Sequence, residues 1–168
     1  MEIEQFDILD SSGKIIGKAT RENCHNGSFL LHGVVHVLVF NGSGHLYLQK
    51  RSNTKFIQPG KWDTSIGGHI DAGETLENAL LREAEEELGI SDTHFEKMYS
   101  YIMESNIERE LVTTFRCIWD GPVHFQKEEI DEIRLFKPEE IEKLLGTGFF
   151  TPNFEEEWGY FNEWVDNK

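Results

Sequence analysis

Apolar and polar residues alternate in two places near the start of the chain, and turn-formers interrupt them. "FDILD", the turn "SSGK" and "IIGKAT" predict a hairpin. "HGVVHVLVF", the Asn-Gly turn "NGSG" and "HLYLQKR" predict a second one. "KFIQPGKWDTSIGGHI" is broken by Pro59 and paired glycines, which predicts a short strand followed by a loop. Residues 75–88 are the clearest helix, with Thr75 placed to cap its start and Gly89 to stop it. "FEKMYSYIME" and "ELVTTFRCIW" predict strands joined by a polar turn, and "EIRLFK" another strand. "PEEIEKLLG" predicts a helix with Pro138 in its first position. "FEEEWGYFNEWV" predicts a closing amphipathic helix. Antiparallel hairpins mixed with helices predict an α+β fold, or an α/β/α sandwich with a mixed sheet. No repeat, low-complexity tract or linker divides the chain, so 1–168 reads as a single domain.

Composition narrows the class of partner. The 168 residues suffice for a substantial core, and 12 Phe and 4 Trp supply large side chains for it. A net charge of -15, from 31 acids and 16 bases, argues against nucleic acid and against an anionic membrane. A small phosphorylated ligand stays open, because a bound divalent cation reverses the local sign. "MEIEQFDILD" lacks the basic-then-apolar order of a signal peptide, and runs such as "VLVF" are too short to span a bilayer. Cys24 and Cys117 show no CxxC spacing and read as reduced thiols in a cytoplasmic protein.

One local rule is broken. "EAEEE" places Glu83, Glu85, Glu86 and Glu87 in the last turns of the 75–88 helix. That end carries partial negative charge and favours Lys or Arg. At about 100° per residue, Glu83, Glu86 and Glu87 share one arc, and Leu81, Ala84 and Leu88 a nearly opposite one. Crowded carboxylates repel one another and raise each other's pKa. A hard divalent cation relieves the repulsion. Solvated acidic helix faces are common, but this one also follows "GGHIDAGE", a glycine-rich loop able to bring backbone close to a ligand.

Gly68, five residues, Glu74, seven residues, then "REAEEELGI" resembles the full Nudix box over residues 68–90, with every fixed position met. The resemblance implies a Nudix-type α/β/α sandwich. It also implies hydrolysis of a phosphoanhydride in a nucleoside diphosphate derivative or similar small diphosphate, with Mg2+ or Mn2+. It assigns Glu83, Glu86 and Glu87 to the metal, Arg82 to orienting them, and Glu74 to buttressing the loop. Glu83, Glu86 or a glutamate outside the box would serve as base. A small-molecule partner follows, and a homodimer is left open.

Residues 6 to about 120 also resemble the branch that includes isopentenyl-diphosphate isomerase, through "GKATRENCH" and "LLHGVVHVLVFNGSGHLYLQKR" onward. That likeness puts His25, His32 and His69 at metal-histidine positions and Glu108 and Glu110 at a glutamate pair, as a second metal site or base. Glu108 and Glu110, two apart, would share one face of a strand. The isomerase's cysteine position holds Gly67, which cannot move a proton, so hydrolysis is favoured over isomerisation; the full set of box glutamates argues against a catalytically silent binding domain, which has no need of all of them. His36 and His45 read as ordinary polar residues. Arg51, Lys55 and Lys61, before the glycine loop, are candidate phosphate ligands with Gly68. Trp158, Tyr160, Phe161 and Trp164 read mainly as core packing, or else as a stacking surface for a base.

Overall fold

A computed structural model describes residues 3–168. The strands are β1 Gln5–Leu9, β2 Ile15–Thr20, β3 Leu31–Phe40, β4 Leu46–Arg51, β5 Trp62–Asp63, β6 Ile66–His69, β7 Glu96–Glu104, β8 Arg109–Ile118 and β9 Ile130–Phe136. The helices are α1 Arg21–Cys24, α2 Leu76–Leu88, α3 Pro138–Leu144 and α4 Pro152–Asp166. All nine strands join one mixed sheet.

β1 and β2 form the first predicted hairpin. The second is corrected. Its turn is where expected, with Asn41 Oδ1 accepting from the backbone N–H groups of Ser43 and His45. Yet β3 and β4 pair only at Phe40 and Leu46. β3 is buried along nearly its whole length, so it takes the centre, antiparallel to β6 and parallel to β8. β4 has one buried face and turns away to β5 and β9. The splay between β3 and β4 leaves room for a cleft.

"KFIQPGKWDTSIGGHI" is also corrected: the loop comes first and two short strands, β5 and β6, follow it. α1, a single turn, was not foreseen. α2 has the predicted ends. Thr75 Oγ1 accepts from Asn78 N–H at 3.1 Å, and Gly89 closes the helix in the left-handed region at φ 68°. A glycine adopts that conformation without strain.

Two apolar layers sandwich the sheet. Val35, Val37 and Val39 of β3 pack on Ala79, Leu80, Ala84 and Leu88 of α2. Leu38, Leu46 and Leu48 pack on Ile141 of α3 and on Phe154, Trp158 and Phe161 of α4. The fold is therefore the expected α/β/α sandwich, and Trp158 and Phe161 are core. Leu81 is not on the buried face of α2; it is 53% exposed, and Leu80 takes the place foreseen for it. Cys24 and Cys117 are buried free thiols. Among the described residues no helix is long and apolar enough to cross a membrane.

Candidate active site

β6 is the hinge of the site. Its Gly67-Gly68-His69 run touches α2 on one side and a histidine cluster on the other. Gly67 N–H donates to Glu87 Oε2 at 3.0 Å. A Cβ on Gly68 would stand 2.1 Å from Glu83 Cδ, so only glycine admits that carboxylate. His69 O accepts from Arg82 Nη2 at 3.1 Å.

Arg82 organises the acids. Its Nε and Nη2 each lie 2.8 Å from a Glu74 oxygen, a two-point clamp. Its Nη1 reaches Glu83 at 2.7 Å and Glu86 at 3.3 Å. Glu74 also accepts from Asp71 N–H at 3.0 Å. The bond from Arg82 holds the Glu74 carboxyl below its usual range. Glu83 goes the other way: burial raises it, only partly opposed by Arg82. Burial pushes Glu87 up to about 8, with Glu83 adding repulsion, although Gln49 Nε2 donates to it at 3.1 Å. Asp71, Glu74, Glu83 and Glu86 thus surround a single guanidinium, while Glu87 is held apart from it by Gln49 and the Gly67 N–H.

The histidines foreseen as a group do converge. One donor atom each from His25, His32, His69 and Glu110 lie within 4.8 Å of one another. Register explains this. Glu110 of β8 stands opposite His32 of β3, and His69 of β6 opposite Val34 of β3. Buried Phe6 stacks on His69 and His32, with ring centroids 4.6 and 5.5 Å apart. His32 Nε2 and His69 Nε2 are buried without a hydrogen bond, facing Glu110 Oε2 at 3.7 and 3.3 Å. Burial opposes charge on Glu110, but the facing imidazoles outweigh it and hold the carboxyl low. His25 Nε2 pairs instead with Glu108 Oε2 at 2.6 Å. Glu108 precedes β8 rather than sharing a strand face with Glu110, and Glu110 is buried.

Both groups border one cleft of about 710 Å3. Arg51 and Lys55 line it, but each is already paired: Arg51 with Asp63 at 3.6 Å, Lys55 with Glu129 at 2.7 Å. Lys61 is not among the lining residues and contributes a backbone carbonyl that accepts from Arg51 N–H. Gln49, Asp63 and His36 also line the cleft and were not foreseen; no local pattern marks them.

Residues 30–155 match the model of the NUDIX domain. The chain belongs to the Nudix hydrolase family. An uncharacterized Nudix hydrolase of Yersinia pestis is 35% identical over 139 residues, covering 83% of this chain and 76% of the relative. Another, from Listeria monocytogenes, is 34% identical over 156 residues and covers 90% of each chain. Among solved structures, DR0079 from Deinococcus radiodurans superposes with a TM-score of 0.78 at 23% identity, covering 91% of this chain and 96% of that one. This last likeness is one of fold. The comparisons support hydrolase activity; they do not reach the isomerase branch.

Proposed function

We propose that this protein hydrolyses a phosphoanhydride bond in a nucleoside diphosphate derivative or a similar small diphosphate, using Mg2+ or Mn2+ held by Glu83, Glu86 and Glu87. The observation that carries the reading is the cluster of Glu83, Glu86 and Glu87 on one cleft wall, with burial raising Glu83 and Glu87. Oxygen donors of this kind suit a hard divalent cation. When bound, such an ion polarises phosphoryl oxygens and acidifies water.

The chain's own groups do the rest. Arg82 fixes Glu83 and Glu86 through Nη1, and Glu74 fixes Arg82. Glu83 or Glu86 takes the proton of the attacking water. Gly68 brings the backbone against Glu83 and so to the substrate. Arg51 and Lys55 can trade Asp63 and Glu129 for the substrate's phosphates; Lys61 supports Arg51 through its carbonyl. His25, His32, His69 and Glu110, with Glu108 behind His25, would hold a second ion, and imidazole favours Zn2+ or Mn2+ there. The two buried nitrogens without partners fit that role.

The histidine group also favours a second reading, an isomerase-like protein acting on a prenyl diphosphate. Gly67 lacks the side chain such proton chemistry needs. One panel separates the readings: nucleoside diphosphates, nucleotide sugars, dinucleotides and prenyl diphosphates, with and without Mg2+. Metal-dependent release of phosphate or monophosphate, falling about 100-fold or more in Glu86→Gln, is expected. Alkene isomerisation without phosphate release, or binding without turnover, would overturn the proposal.

A further inference from the structure

His36 stands in the middle of the sheet, opposite Gly67 of β6 and Thr114 of β8. Its Nδ1 lies 2.7 Å from Oε1 of Glu157, a fully buried residue that rises from α4. Glu157 also accepts from the hydroxyls of Tyr101 at 3.0 Å, Thr114 at 3.1 Å and Tyr99. Burial opposes charge on Glu157, but these partners, His36 foremost, outweigh it and keep the carboxyl low.

The dyad sets the chemistry of the other ring nitrogen. Nδ1–H donates to Glu157, so Nε2 lies on the far side of the ring, and His36 lines the cleft. A side chain at Gly67 would stand 3.2 Å from Cδ2 and 3.4 Å from Nε2. The glycine therefore leaves that edge of the imidazole uncovered. Among the described residues Nε2 is neither hydrogen-bonded to protein nor a sealed polar atom.

Other cations of the cleft, Arg21, Arg51 and Lys55, are matched by acids on the rim: Glu4, Asp63 and Glu129. The counter-charge of His36 is buried behind it instead, so its remaining N–H is available to an anionic ligand. Burial works against the imidazolium, but the bond to Glu157 and the charges of Glu157, Glu110 and Asp63 together raise its pKa. A carboxylate that orients a histidine ring through Nδ1–H and stabilises its imidazolium form is a familiar positioning device.

We propose that His36 contacts substrate, its Nε2–H donating to a phosphoryl oxygen above Gly67, with Glu157 as the positioning residue that keeps this nitrogen a donor. The proposal rests on the diphosphate reading of the cleft. Glu157→Gln still accepts from Nδ1–H but leaves a neutral ring, whose Nε2 then presents a lone pair to the phosphate. His36→Gln removes the ring.

The test is titration calorimetry with methylenediphosphonate, a non-hydrolysable diphosphate, in Mg2+, alongside steady-state kinetics on a substrate from the panel. Each variant is expected to raise Kd and KM about tenfold or more while kcat stays within about threefold. An unchanged Kd in either folded variant overturns the proposal, as does failure of the wild type to bind methylenediphosphonate. If the wild type binds it but turns over no diphosphate, the hydrolase reading fails while the Kd ratio still judges His36. A wild-type measurement guards against misfolded variants. The His36 imidazole 15N resonance of Nε2 is expected to shift on adding methylenediphosphonate, and no shift sinks the idea.

Discussion

Arg82 shows how much of the site turns on one side chain. Its flat fork binds both oxygens of Glu74 and still has an N–H for Glu83 and another for Glu86. A lysine carries the same charge but cannot reproduce that geometry. Arg82→Lys is therefore expected to lower kcat/KM about 10- to 100-fold if, as proposed, the carboxylates it orients hold the metal. Activity within about threefold of wild type, from the same assay, would contradict the clamp. The spacing of Arg82, Glu83, Glu86 and Glu87 was legible because the box is local: all four lie within two helical turns. The His36–Glu157 pair was not, because its members are 121 positions apart and lie in unremarkable surroundings. His25, His32 and His69 could be grouped only through a family resemblance, since register between β3, β6 and β8 is what brings them together.

At the scale of the element, α2 behaves as its ends predicted and its faces only in part. Thr75 and Gly89 were readable because capping chemistry depends on residue type at a fixed place. Leu81 is exposed where the helical wheel puts it on the apolar arc, because an ideal 100° wheel gives arcs but does not say where the neighbouring strand lies. Gly89→Ala would force a side chain into the left-handed region, with its Cβ 3.3 Å from His124. It is expected to cost about 1 to 2 kcal/mol of unfolding free energy by urea titration, with activity per folded molecule unchanged. A loss of activity at full stability would mean that the loop after α2 belongs to the cleft. The second hairpin departs from its pattern for a related reason. An Asn-Gly turn marks a reversal of direction, but which strands then pair is decided by burial, and β3, buried along nearly its whole length, goes to the centre.

For the molecule as a whole, the buried Glu157–His36 pair ties α4 to the sheet and should leave a mark on its acid–base stability. Glu157 titrates below its ordinary 4.5 in the fold, so its contribution is present above that value and is lost as pH falls through the depressed one. His36 titrates above its ordinary 6.5, so its contribution is present below 6.5 and is lost as pH rises through the raised one. The difference in Tm between wild type and Glu157→Gln is therefore expected to be widest between about pH 4.5 and 6.5 and to narrow on both sides. A difference that does not vary with pH would mean that the pair is not ionic in the folded protein.

The ten-pair parallel ladder of β3 and β8 has a consequence for how the protein is made. One strand begins at residue 31 and the other at residue 109, so the ladder forms only after a very long loop has closed. A chain emerging from the ribosome exposes the whole glutamate-rich box before the strand carrying Glu110 exists, and α4 comes later still. Contacts this distant in sequence form slowly, so the cleft, which Glu110 and Asn153 help to line, is complete only at the end of folding. The nascent protein presents a naked β3 meanwhile, and its vulnerability to aggregation is concentrated in that interval.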